Sequence, residues 1–274
     1  MQILLRVTNL NVSYRGAAST QHHAVENVSF EIAEGEVLGL MGESGSGKTS
    51  IALALLGLLS QDQAHVSGSI QFHGEELLSK DRNSLRAIRG AGISLVFQEP
   101  ELALSPVMKI RDQIAEVIHA HNDWNWQRCG AEAELAFARV GLADSPRLFS
   151  AYPHQLSGGQ RQRVVLAQAL ACNPALLIAD EPAASLDART QSEMLALLRK
   201  LQRELKISIL LISHAPEVQA SLAGRLVIMA NGRFVEQGSF QQLYRNPSHS
   251  ITRAMLRSSA PASVAEDLDF EMVT

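Results

Sequence analysis

Gly42-Glu43-Ser44-Gly45-Ser46-Gly47-Lys48-Thr49 fits the spacing G-x-x-x-x-G-K-[ST], and its residue types point to polyphosphate binding. Three glycines remove the Cβ atoms that would keep a backbone from wrapping phosphate oxygens, and they accept positive φ where a nest of N–H groups requires it. Lys48 supplies a flexible point charge for β- and γ-phosphates, and Thr49 a hydroxyl for Mg²⁺. The helix that follows turns its positive end toward the anion. Glu43, Ser44 and Ser46 complete the loop. A second candidate is the acidic pair closing Ala175-Leu176-Leu177-Ile178-Ala179-Asp180-Glu181. Asp180 could hold Mg²⁺ through water, and Glu181 could orient or deprotonate an attacking water. Alone, such a pair is better explained as a cap on the next turn. Beside a phosphate loop it reads as the second half of a hydrolase.

The elements that must position these groups follow from periodicity. Val37 to Met41 is an apolar strand feeding the loop, and a helix over 48–59 follows it. Residues 3–14 and 24–35 alternate as antiparallel strands, with a polar loop, Arg15 to His23, between them. Val66 to Phe72 alternates again, the charged segment Glu75 to Arg89 predicts a helix, and Ile93 to Phe97 a short buried strand ending at Gln98. From 99 to 156 prolines punctuate helical patterns such as Ile110 to His121 and Ala131 to Val140, which predicts an inserted helical subdomain. Ser157-Gly158-Gly159 opens a helix through Ala171. Asp187 caps another, whose Met194, Leu197, Leu198, Leu201 and Leu205 share a face. Ile207 to Ile212 is a buried strand ending at Ser213-His214, and Asn231-Gly232 joins Leu226–Met229 to Arg233–Glu236 as a hairpin. Strands alternating with helices imply a mainly parallel sheet whose ligand lies at the strands' carboxyl ends, where Gly42, Gln98, Asp180 and His214 all fall.

Composition narrows the class. The 274 residues suffice for one substantial core with an inserted subdomain, and 46% hydrophobic with 19% charged residues is ordinary for a globular protein. A net charge of −4 argues against a dedicated nucleic-acid binder. The longest apolar stretch, Ile51 to Leu59, is far short of the ~20 residues of a membrane helix, and Leu4 to Thr8 lacks signal-peptide character, so a cytosolic address is expected. Cys129 and Cys172 make neither a metal cluster nor a disulfide framework and read as packing residues. His22, His23, His119 and His121 have no metal-site spacing and read as surface groups. The segment after Pro261 is acidic and reads as a mobile tail.

Leu156-Ser157-Gly158-Gly159-Gln160, between the phosphate loop and the acidic strand, resembles the signature of ATP-binding cassette (ABC) ATPases. The resemblance covers roughly residues 3 to 245, leaving 246–274 as an extension. It implies a phosphate-loop NTPase core with a mainly parallel sheet, an N-terminal antiparallel β-subdomain and an inserted helical subdomain over 99–156. It also implies ATP and Mg²⁺ as ligands. Under it Tyr14 matches the aromatic that stacks on adenine, and Gln98 the glutamine that meets Mg²⁺ and the attacking water. Glu181 matches the catalytic glutamate, Ser185-Leu186-Asp187 the loop that crosses to a second subunit, and His214 the histidine at the γ-phosphate. Ser157, Gly158, Gly159 and Gln160 then close on the ATP of the other subunit.

Ala151-Tyr152-Pro153-His154-Gln155, Phe97-Gln98-Glu99-Pro100 and the ending Asn246-Pro247 through Leu256 look like the oligopeptide, dipeptide and nickel importer subgroup. The implied partners are a second ATPase subunit, identical or related, two membrane permeases and, indirectly, an extracytoplasmic solute-binding protein. The implied place is the cytoplasmic face of the membrane. Two departures stand out: Ala183-Ala184 replaces the usual hydroxyl pair, and Ala215-Pro216 follows His214 where an acid is usual. The rival readings are a non-transport ATPase of the same superfamily acting on DNA or ribosomes, and a nucleotide-binding subunit that regulates without turnover. DNA-repair members carry long heptad arms and translation members two cassettes, neither of which this sequence has; an altered Glu181 or His214 would mark the non-hydrolysing subunit. An exporter reading is weaker still, for want of a fused membrane segment.

Overall fold

A computed structural model describes residues 2–15, 21–60, 62–142 and 146–257; the acidic tail and part of the loop after Tyr14 lie outside them. The fold divides into two units, Met1–Asp81 with Leu210–Thr274, and Arg82–Ile209.

The first unit begins with β1 (Ile3–Arg15) and β2 (Gln21–Ala33), followed by β3 (Val37–Gly42), α1 (Lys48–Leu55), β4 (Ala64–Phe72) and β5 (Glu75–Glu76). Leu5, Val7, Leu10 and Val12 on β1 and Val25, Val28 and Ile32 on β2 are buried, so alternation drives these strands to cover a core. Pairing is antiparallel throughout, in the order β2-β1-β4-β5. The stretch from Glu75 to Arg89 is not the single helix its charge pattern suggests. His73, with φ of 51°, turns the chain back so that Gln71 and Phe72 pair with Glu76 and Glu75. The Glu76 carboxylate then accepts hydrogen bonds from Leu78 N and, across the pairing of β4 with β5, from Ser69 Oγ and Ile70 N. The helix expected over 48–59 also stops early, at Leu55.

The second unit runs through α2 (Arg82–Ile88), β6 (Ile93–Val96), α3 (Pro100–Ala103), α4 (Ile110–His121), α5 (Trp126–Phe137), α6 (Pro146–Phe149), α7 (Gly158–Leu170), β7 (Leu176–Asp180) and α8 (Ala188–Leu205). Every residue of β7 is buried, as its continuous apolar run requires. Between residues 97 and 175 the described residues contain no strand. Cys129 is buried, Cys172 is half-buried, and both are free thiols.

β8 (Ser208–Ile212), α9 (Pro216–Leu222), β9 (Arg225–Ala230), β10 (Arg233–Ser239), α10 (Phe240–Arg245) and α11 (Ser250–Arg257) follow among the described residues. Asn231 and Gly232 both take positive φ, 48° and 78°, in the two-residue turn between β9 and β10. The second sheet has the order β10-β9-β3-β8-β7-β6, in which β3 pairs with β9, and β6 with β7, in parallel. Among the described residues no helix is long and apolar enough to cross a membrane.

Candidate functional site

In the first unit β3 delivers the chain into the loop 42–49, and α1 begins at Lys48. Gly47 holds φ of 110°, and a Cβ there would lie 2.2 Å from the carbonyl oxygen of Ala24, so a side chain is excluded on two counts. Lys48 is only 8% exposed; its Nζ donates to the carbonyls of Gly42 at 2.8 Å and Glu43 at 2.9 Å, bracing the loop from within. Ser46 Oγ is buried with no hydrogen-bond partner, the condition of a group awaiting a ligand oxygen. Glu43, Ser44, Gly45 and Thr49 are exposed along the same loop. Tyr14, half-buried near the end of β1, shares a 3.0 Å hydrogen bond between its hydroxyl and Ser50 Oγ, which sets the ring beside the start of α1. His214 is exposed two residues past β8. The neighbouring Ser213 N–H donates to the Leu40 carbonyl, joining the carboxyl end of β8 to that of β3.

In the second unit Gln98 is exposed just past β6, while Asp180 closes β7 and Glu181 follows it. Val96 pairs with Ala179, so Gln98 and Glu181 each leave the sheet two residues beyond paired positions. Glu181 is 8% exposed and takes φ of 49°. A long side chain in the left-handed region costs conformational energy, and such residues concentrate where a side chain must be aimed.

Ser157 is the N-cap of α7: its Oγ accepts from Gln160 N at 3.3 Å, and Gln160 Oε1 accepts from Ser157 N at 2.9 Å. Gly158 has open space beside it, leaving the first amides of α7 accessible, whereas Gly159 lies against Thr190 of α8. Thr190 in turn donates through its amide and hydroxyl to Asp187. These bonds hold the Asp187 carboxyl below the usual carboxylate range and bring the Ser157 segment and Asp187 together through one threonine.

Two contributors escaped the sequence reading. Ser50 carries no motif, and only the strand pairing that sets Tyr14 beside it reveals its part. Gln219 sits on a short helix, Pro216–Leu222, in a segment that carries no motif, yet it is fully buried.

A strand, a phosphate loop and a helix at the carboxyl end of a mainly parallel sheet define a nucleotide-binding protein of the phosphate-loop class. The family described as "ABC transporter" matches residues 25–184. The chain is 43% identical over 258 residues to the uncharacterized ABC transporter ATP-binding protein YejF of Escherichia coli K12, covering 94% of this chain and 49% of that protein. It is 39% identical over 275 residues to the glutathione import ATP-binding protein GsiA of Escherichia coli O1:K1, covering 97% and 44%. With the oligopeptide transport ATP-binding protein OppD of Lactococcus lactis subsp. cremoris SK11 it shares 37% identity over 264 residues, covering 96% and 78%. The chain thus spans about half the length of the first two relatives. Its fold superposes on the dimeric post-hydrolysis ATP-binding cassette MJ0796 bound to ADP and Pi with a TM-score of 0.75 at 26% identity, covering 86% of this chain and 98% of that one. This chain belongs to the ABC transporter family, as an ATP-binding protein related to those of peptide and glutathione import.

Proposed function

We propose that the chain is the ATP-hydrolysing subunit of an importer for peptides or chemically similar small solutes, acting as one of a pair of cassettes. The observation that carries hydrolysis, rather than binding alone, is Glu181: a buried glutamate aimed by a left-handed backbone directly after a strand-end aspartate. Lys48 and the amides of 42–49 take the β- and γ-phosphates, and Tyr14 stacks on the adenine. Glu181 orients and deprotonates the attacking water, while Gln98 and His214 fix the water and the γ-phosphate. The hydroxyl, amide and carboxylate oxygens of Thr49, Gln98 and Asp180 are hard donors that fit Mg²⁺ and would hold it, its charge then neutralising the phosphates. Ser157, Gly158, Gly159 and Gln160 act on the ATP bound to the other cassette, the helix start adding donors that strengthen as charge develops. Asp187 belongs to the loop that crosses to that partner.

The relatives' names favour peptides over nickel as the cargo class. Two permeases and, through them, an extracytoplasmic binding protein complete the assembly, which places the chain on the cytoplasmic face of the membrane. The inserted helical subdomain, residues 99–156, together with the region around Gln98 receives the permease. Leu102 and Val107 are each 81% exposed and Phe97 is 42% exposed, apolar surface suited to a partner helix.

The test is Glu181→Gln. It removes the carboxylate while keeping size, so MgATP should still bind and promote pairing, by titration and size exclusion, while turnover disappears. A variant that hydrolyses ATP at the unaltered rate removes Glu181 from its role, and a wild-type chain that neither binds nor hydrolyses ATP removes the reading.

A further inference from the structure

We infer that Gln219 is a positioning residue for hydrolysis, holding the strand end that carries His214 against the strand that carries the phosphate loop. The inference rests on the ATPase reading for its consequence, though not for its geometry. Gln219 lies on α9, is 0% exposed, and points its amide at three main-chain carbonyls. Nε2 donates to Ser213 O at 3.1 Å, Leu211 O at 3.3 Å and Leu40 O at 3.4 Å. Three carbonyls around one end of an amide settle which end is nitrogen, because an oxygen there would face only acceptors. Leu211 and Ser213 are the last turns of chain before His214. Leu40 stands two residues before Gly42.

The strand ends are therefore joined twice, once by Ser213 N donating to Leu40 O and again by the single nitrogen of Gln219. Its other end fits just as closely. Oε1 has no hydrogen-bond partner and lies over Gly39, where a Cβ would come within 2.2 Å of it. A buried amide with an unsatisfied oxygen is costly where an apolar side chain would pack without loss. What the amide uniquely supplies is donation to the two strand ends. Ser213 adds a further tie, its Oγ accepting from Ala215 N at 3.2 Å, in the segment where Ala215 rather than an acid directly follows His214. Main-chain bonds thus fix the strand end from which His214 leaves the sheet.

Gln219→Met keeps length and volume and removes the donor. In the full-length chain we expect ATP affinity, by titration, to change by less than about threefold, because the loop 42–49 and its Lys48 brace are untouched. Turnover should fall by about 10- to 100-fold, the scale of a small misplacement at a reacting group. Gln219→Met combined with His214→Ala should be no slower than His214→Ala alone, since both act through one ring. Losses that add in full, or a Gln219→Met chain that turns over at the wild-type rate, overturn the inference. Histidine-labelled NMR supplies a readout independent of catalysis: the His214 resonance should move in Gln219→Met while those of His22 and His23 stay, and an unmoved His214 overturns the proposal. Should the methionine variant fail to fold, Gln219→Glu serves in its place, with activity relative to wild type falling as rising pH charges a carboxylate facing three carbonyls; a wild-type pH profile overturns the proposal. If wild type shows no ATPase activity, the functional reading fails and the NMR comparison alone decides the clasp.

Discussion

Lys48→Ala separates two tasks that one ammonium performs. Nζ donates to the Gly42 and Glu43 carbonyls at 2.8 and 2.9 Å from a position only 8% exposed. Hydrogen bonds to a charged group contribute about 1.5–3 kcal/mol each, but Glu43 is exposed, so its carbonyl regains water when the lysine is lost. The stability cost should therefore sit low in that range, at about 2 kcal/mol, read as a shifted urea midpoint. Binding should suffer more. A unit charge about 4 Å from a phosphate charge contributes about 4 kcal/mol at an effective dielectric constant near 20, so ATP affinity should fall by about 10²- to 10³-fold. Calorimetric titration with ATP and with adenosine monophosphate distinguishes charge from loop damage, because the monophosphate lacks the groups Lys48 addresses. A proportional loss for both nucleotides would show that the brace, not the charge, was removed. An unchanged ATP affinity in a folded variant would refute the assignment outright.

Pairing can be tested by mixing: a Lys48→Ala chain with a Ser157→Arg chain places both lesions in one ATP site of a mixed dimer and leaves the other whole, so activity should exceed that of either alone. Full activity from a demonstrably monomeric wild-type chain would refute the two-cassette mechanism. Acid stability should depend on Glu76. Burial pushes its carboxyl upward, but hydrogen bonds from Ser69, Ile70, Leu78 and Leu77 together outweigh this and hold it below the ordinary glutamate range. A lowered folded value means stability that is present above that range and lost as pH falls through and below it, so Glu76→Gln should flatten the acid limb of urea midpoints there. An unchanged limb would show that another carboxylate governs it.

What could be read from the residues alone was whatever local chemistry forces. The phosphate loop needs glycine at backbone positions no other residue accepts, so Gly42, Gly47 and Lys48 announce it in one dimension. Helix caps are equally local: Ser157 with Gln160, and Asp187 with Thr190, close over three residues. The turn at Asn231-Gly232 follows from the positive φ that both residues tolerate. Tertiary structure decided what depends on partners distant in sequence. The Glu75–Glu76 pairing is the local exception: it closes on Gln71 and Phe72 across a tight turn at His73, yet a helical charge pattern conceals it. Tyr14 finds Ser50 only through the sheet, 36 positions away, and Gln219 meets Leu40 across 179. Glu181 was named by its place after an aspartate, but the left-handed backbone that aims it belongs to the folded chain. Periodicity and motif spacing report interactions within a turn or two of chain, whereas a long-range hydrogen bond depends on where the packed core holds each strand end, which no local pattern encodes.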